Sequence, residues 1–364
     1  MPIKEYFAES YSEARTKFVD AACRAKADWA PYVLPDTKGP NNEELVIDVA
    51  RIGSEHPRSL LLIISGTHDI EGFCGSGCQV GYFTDQLSEA LPANTGAILI
   101  HALNPYGFAW LRRVDQCNVD LNRNFRNFSS ELPTSPGYDA IHNILVPADW
   151  EGPKREEAES ALAKYIADNG LKAVQAAVQG GQYSHPDGLF YGGNKESWSN
   201  LAFHKILRDH VSEQVQNVAV LDLHTGLGPA GYGEPIYLGP ADNENFARAK
   251  QWYGPCVKNP AQGDSVSAIV TGSIADALTN ALPRSQVIYL ALEYGTLSVD
   301  KVLTALRADN WLHAVANGQS DLASSIKRQI RAAFYVDTSY WKAAVYGRFA
   351  DFALRASRGL ATTA

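Results

Sequence analysis

SLLLIISG, residues 59–66, sets five consecutive large aliphatic side chains, Leu60 to Ile64, ahead of a glycine. A strand apolar at successive positions is buried on both faces, as in a parallel strand covered by helices. Three more segments read the same way. GAILIHAL (96–103) runs into Asn104-Pro105, QNVAVLDLHTG (216–226) ends on glycine, and QVIYLALEYGT (286–296) does likewise before its threonine. Helix-like sequence lies between and after them, at about 77–91, twice within 153–179, at about 196–214 and over most of 298–355. Upstream, the first 29 residues read as helix, PDTKGPNNE (35–43) as a turn-rich linker, and Leu45–Val49 as a strand. Residues 126–150, rich in Ser, Pro, Asn and Gly, read as a long irregular excursion. Alternating strands and helices predict an α/β fold, with a mixed, mostly parallel twisted β-sheet and helices on both faces. One domain is expected to span 1–364, with an insertion-like stretch at about 126–215 and a helical C-terminal region at 298–355.

Composition narrows the class of function. The chain has 364 residues, 45% of them hydrophobic and 20% charged, enough apolar material to bury a core and exclude disorder as the dominant state. Its net charge of -8 argues against general nucleic-acid or anionic-membrane binding, which needs a basic face. No apolar run approaches the roughly 18 residues of a membrane span. The N-terminus lacks an apolar signal core. The five cysteines, an odd number in a large chain, are no disulfide framework, so a reducing, cytoplasmic location is expected.

Polar residues gather where the predicted strands end: Thr67 to Glu71, His101 to Pro105, Asp222 to Thr225, and Glu293 to Gly295. In open α/β sheets the functional crevice lies beyond the carboxyl ends of the strands. His68 and Glu71 have His-x-x-Glu spacing in a strand-to-helix turn, which can aim both side chains at one metal. His224 is the natural third ligand. Two histidines and a glutamate leave zinc one open position for water. Hydrolysis also needs a carboxylate to carry the proton, and Glu293 suits that role. The same spacing at His210 and Glu213 falls in a charged helical segment and reads as a solvated face.

HALNPYGFAWLRRVDQCNVDLNRNF (101–125), taken with His68-x-x-Glu71, Asp222-x-His224 and Glu293, resembles the zinc metallocarboxypeptidase family with its carboxypeptidase A-like fold, in its intracellular branch. More distantly it resembles the succinylglutamate desuccinylase and aspartoacylase relatives, which share Asp-Leu-Asn-Arg (120–123) and Asp-Leu-His (222–224). The resemblance implies one zinc ion held by His68, Glu71 and His224, with other divalent ions left open. It implies Glu293 as the general base acting on zinc-bound water. Arg113 would stabilise the oxyanion, with the adjacent Arg112 as the alternative, and Asn122 and Arg123 would hold a substrate carboxylate. The expected activity is hydrolysis of an amide or peptide bond next to a free carboxylate. An N-acyl-amino-acid amidohydrolase is the alternative, and a non-catalytic metal- or ligand-binding protein the alternative from another class. The expected partner is a small peptide or acylated amino acid, with no nucleic acid and no membrane.

Several residues stay open. Tyr183, Tyr232, Tyr237 and Tyr253 are each a counterpart for the tyrosine that the family places over the substrate terminus. GGQYSHPDGLFYGG (180–193) reads as a pocket-lining loop with Tyr183, His185 and Tyr191 near the substrate. Cys74 and Cys78 read as packing residues, and His101 as either a cleft or a core residue.

Overall fold

The computed structural model describes residues 2–240 and 244–362. Seven strands form one sheet: β1 (Asp28–Lys38), β2 (Glu44–Gly53), β3 (Ser59–Ser65), β4 (Thr95–His101), β5 (Asn217–Ala230), β6 (Gly233–Tyr237) and β7 (Gln286–Gly295). Their spatial order is β1-β2-β4-β3-β5-β7-β6. The central β4, β3, β5 and β7 are parallel, while β2 and β6 run antiparallel to their neighbours toward the two edges. This is the mixed sheet expected from the apolar runs. After β3 the chain crosses to β4 on one side, and it later returns as β5 on the other. The switch point therefore lies between the carboxyl ends of β3 and β5, where open α/β sheets keep their ligand crevice.

Among the described residues thirteen α-helices accompany the sheet: α1 (Tyr11–Arg24), α2 (Gly72–Thr84), α3 (Pro105–Trp110), α4 (Pro136–Asp139), α5 (His142–Leu145), α6 (Pro153–Asn169), α7 (Leu171–Gln179), α8 (Trp198–His210), α9 (Glu244–Tyr253), α10 (Ile274–Ala281), α11 (Val299–Ala314), α12 (Ala323–Phe334) and α13 (Ser339–Ala361). Alternation along the strands divides the core. Leu61, Ile63, Leu221 and Leu290 pack with α1, α2, α9 and α13 on one face. Leu62, Ile64, Val220 and Tyr289 pack with α8 and α10 on the other. A third apolar cluster lies outside the two sheet faces and joins α4 to α7 with α11 and α12. None of the described helices is long and apolar enough to cross a membrane.

Two local expectations need correction. The turn-rich reading of 35–43 and the helical reading of the first 29 residues both miss β1, which begins at Asp28 and pairs with β2. β1 is an edge strand and carries Pro31 and Pro35, residues that a central ladder excludes and an edge tolerates. The first helix of the core begins at Asp69–Glu71 and Gly72, earlier than the expected residue 77. Its opening GFCGSG lacks an amphipathic period because α2 is buried from Gly72 to Phe83.

Candidate metal centre

β3 ends at Ser65, and the turn that follows closes with Glu71 N donating to His68 O at 2.9 Å. Ile70 N donates to Arg112 O at 3.1 Å, which ties the turn to the loop after α3. His68 and Glu71 thus stand at the end of β3, beside His224 on β5. In the parallel β5–β7 ladder His224 lies directly opposite Glu293, which puts both side chains on one face of the sheet.

His68, Glu71 and His224 are buried, and one ligand atom from each lies within 4.8 Å of the others. The histidine rings are held by carboxylates on their far sides. His68 Nε2 is 3.0 Å from Asp120 Oδ1, and His224 Nε2 is 2.8 Å from Asp222 Oδ2. Asp222 in turn accepts from Thr67 Oγ1 at 2.9 Å and from the Tyr289 hydroxyl. As neutral ligands, with the ring proton on Nε2 toward these carboxylates, both imidazoles would present an Nδ1 lone pair on the side of Glu71. His68 Nδ1 is 3.4 Å from Glu71 Oε1, and His224 Nδ1 is 3.1 Å from Oε2. His68 Nδ1 is buried without a hydrogen-bond partner. An orphaned, lone-pair-bearing nitrogen beside a second imidazole and a carboxylate is the donor set that zinc takes. The residues present therefore fit the metal implied by the resemblance.

The electrostatics follow from burial and neighbours. Burial opposes ionisation of Glu71, yet His68 and His224 draw its carboxyl down to about 2. Burial likewise opposes charge on His224, but Asp222 and Glu71 hold it well above the usual histidine range. Asp120 is desolvated too, and Arg113, His68 and Arg123 keep it well below the usual carboxylate range. Glu293 goes the other way, because burial and the negative charge of Glu71 push it up to about 8. One of its oxygens accepts from Leu227 N at 3.0 Å.

The two neighbouring arginines separate. Arg113 faces the centre: Nε donates to Asp120 at 3.0 Å, Nη1 to Glu71 at 3.2 Å, and Nη2 lies 2.9 Å from His68 Nε2. Arg112 points elsewhere, with Nε on Asp309 at 3.1 Å and Nη2 on Asn118 at 3.0 Å. Asn122 and Arg123 lie in the turn Leu121–Arg123, and both reach the cavity over the centre. Asn122 Oδ1 accepts from Ile274 N at 3.0 Å, capping α10. Arg123 gives Nε and Nη2 to Gln179 O and Nη1 to Asn122 O, which leaves two of its five N–H donors.

The cavity holds about 210 Å³ and is lined by all of the sequence-derived site residues except Arg112. Its other walls are largely apolar. α7 contributes Leu171, Val174 and Val178, and α11 contributes Val302, Leu303 and Leu306, with Phe190 and Phe334 beside them. Among the described residues no tyrosine lines it. Tyr237 and Tyr253 are core residues, Tyr232 is exposed, and Tyr183 donates to Arg123 O at 2.6 Å from outside. The 180–193 loop reaches the cavity through Phe190, whose ring lies 4.7 Å from the Arg113 guanidinium and 5.5 Å from that of Arg123. Neither His185 nor Tyr191 is part of the lining. His101 is a core residue, stacked on Phe18 and held neutral by burial, down to about 3. Cys74 and Cys78 are buried in α2. Asp120, Gln179 and Phe190 were missed as site residues. Asp120 alone carried a sequence signal, its place two residues before Asn122.

Sheet and centre define an α/β protein with a buried cluster of two histidines and a glutamate, spaced as metal ligands can be, at its switch point. The chain belongs to the family described as "Protein of unknown function (DUF2817)", which matches residues 7–348. No curated protein matches the chain. Three solved structures illustrate its likenesses. Bovine thrombin-activatable fibrinolysis inhibitor, in complex with tick carboxypeptidase inhibitor, is 11% identical over 98% of each chain, with a TM-score of 0.49. A metallo-carboxypeptidase from Burkholderia cenocepacia is 12% identical over 99% of this chain and 71% of its own, with a TM-score of 0.48. An aspartoacylase family protein from Mesorhizobium loti is 14% identical over 80% of this chain and 67% of its own, with a TM-score of 0.37.

Proposed function

We propose that the protein is a zinc-dependent hydrolase that cleaves an amide bond next to a free carboxylate, with a small peptide or acylated amino acid as substrate. The observation that carries this reading is the pairing of two carboxylate-held imidazoles, both with Nδ1 toward Glu71, and a Glu293 carboxyl directly across the ladder from His224. When bound, zinc would polarise a carbonyl and a water and offset the Glu71 charge that raises Glu293. His68, Glu71 and His224 would hold it. Glu293 takes the proton of the attacking water, with its backbone bond from Leu227 fixing the carboxyl, and returns that proton to the leaving amine. Arg113 meets the charge that develops on the carbonyl oxygen. Arg123, through its two remaining donors, and the amide of Asn122 hold the substrate carboxylate. Arg112 is left out of the mechanism because it does not line the cavity, its guanidinium being turned away to Asp309 and Asn118. Five free cysteines, two of them buried, support a reducing, cytoplasmic setting.

The test compares matched N-acyl amino acids and dipeptides with free and amidated carboxylates. A charge-assisted contact is worth about 1.5–3 kcal/mol, so wild type should favour the free acid roughly 10-fold to 150-fold. Arg123→Lys should erode that preference. Equal rates on acid and amide by wild type would reject carboxylate anchoring, and no hydrolysis of any substrate by the zinc-loaded protein would reject the hydrolase.

A further inference from the structure

Resting on the hydrolase proposed above, we infer that the substrate is an N-acyl amino acid whose acyl group is a medium-length aliphatic chain, laid along the cavity between α7 and α11. Leu171, Val174, Gln175, Val178 and Gln179 all line the cavity, so one face of α7 looks into it from the first residue to the last. Val299, Val302, Leu303 and Leu306 do the same over the first two turns of α11. Apolar residues at i, i+3, i+4 and i+7 make a stripe that a helix ordinarily buries against protein. Here both stripes border the cavity instead. At one end of α7, Gln179 O accepts from Arg123 Nε at 3.1 Å, beside the donors that would hold the carboxylate. Leu171, at the other end, is 61% exposed, and Val299 at the start of α11 is 47% exposed, so apolar side chains stand where the cavity opens to water. At 1.5 Å per residue, α7 gives this passage a length of about 12 Å.

The chemistry of the walls selects a chain without polar groups. Among the described residues the only charged side chains in the lining are those of the centre, Arg113 and Arg123 included. An extended peptide would bring in a backbone N–H and C=O with each further residue, and each would lose its water. α7 and α11 offer little in exchange, because a helix closes its backbone bonds along its own length. The polar side chains beside them turn to the protein. Gln175 Nε2 donates to Val266 O at 3.2 Å, Ser267 Oγ to Ala268 O at 3.0 Å, and Thr225 Oγ1 to Phe334 O at 2.7 Å. A methylene chain needs no such partners and gains with every carbon buried. An extended chain advances roughly 1.3 Å per bond, so beyond the amino acid and the amide about six to eight carbons reach the mouth. Hydrolysis would break the amide C–N bond, join the water oxygen to the acyl carbon and leave the proton on the amine. The products are a fatty acid and a free amino acid.

Zinc-loaded full-length protein is assayed on N-acylglycines from acetyl to decanoyl and on oligoalanine peptides of matched length. kcat/KM should rise roughly threefold to fourfold per methylene up to about octanoyl, as burial of a methylene predicts, while the peptides gain little. Leu171→Ser and Val299→Ser, chosen because both side chains are exposed, should each lower the octanoyl-to-butanoyl ratio, with circular dichroism checking their folds. Calorimetry of the same N-acylglycines on zinc-loaded Glu293→Gln should show Kd tightening along the series. Hydrolysis with a flat acyl series, peptides that gain as steeply, or a ratio unchanged in both variants would overturn the inference and leave the hydrolase standing. Binding that tightens with chain length, without hydrolysis of any substrate, would uphold the acyl site and reject the hydrolase.

Discussion

His68 and His224 turn the same nitrogen toward Glu71 because Asp120 and Asp222 occupy the other. Removing either imidazole should release the ion of this centre, whereas Glu293→Gln should keep it and lower turnover roughly 100-fold to 10,000-fold, as loss of a general base does. Metal content and steady-state rates on one preparation check both. Glu293 also predicts a pH dependence. In metal-free protein its carboxyl is raised from an ordinary 4.5 to about 8, so the folded chain holds a proton that the unfolded chain releases. That contribution to stability is complete below pH 4.5 and is lost as pH climbs to about 8. The thermal midpoint of chelator-treated Glu293→Gln should therefore gain on wild type as pH rises through this window. A constant gap would reject the shift. At this scale His68, Glu71, His224, Glu293, Asn122 and Arg123, which the structure gathers around one cavity, were legible in the sequence as candidates. The choice between Arg112 and Arg113 was not, because adjacent residues in a loop point where the tertiary structure sends them. Asp309 and Lys327, about two hundred residues downstream, anchor the neighbourhood of Arg112.

At the scale of elements, α2 must lie close to β3 for the turn between them to present His68 and Glu71. Gly75 allows it, since a Cβ there would stand 2.5 Å from the Ser65 Cβ. Gly75→Ala should cost about 1–3 kcal/mol through overpacking. It should also weaken zinc binding, because the strain falls on the turn that carries two ligands. Urea unfolding and a zinc titration read the two effects. A fully stable variant with wild-type affinity would show that the contact relaxes without consequence. The same glycines hid the start of α2 from periodicity, just as Pro31 and Pro35 hid β1. Both are sites where tertiary packing, rather than propensity, sets the conformation. α7 and α11 were legible as helices, but no periodicity says which cavity their apolar stripes will cover.

For the whole molecule, the order β4-β3-β5-β7 is what makes distant residues neighbours. The four apolar runs made the sheet legible, and the polar residues at their ends pointed to a shared crevice. Strand order and register, which set His224 opposite Glu293, came only with the structure. The cavity's apolar walls predict that substrates with an apolar group near the scissile bond outperform cationic ones. Leu306→Asp should narrow that gap, measured as a ratio of kcat/KM values. The most direct measurement is an anomalous difference map at the zinc edge from crystals of the zinc-loaded protein. It should place a peak roughly 2.0–2.2 Å from His68 Nδ1, His224 Nδ1 and a Glu71 oxygen. No peak there, or one coordinated through the Nε2 atoms that Asp120 and Asp222 hold, would contradict the account.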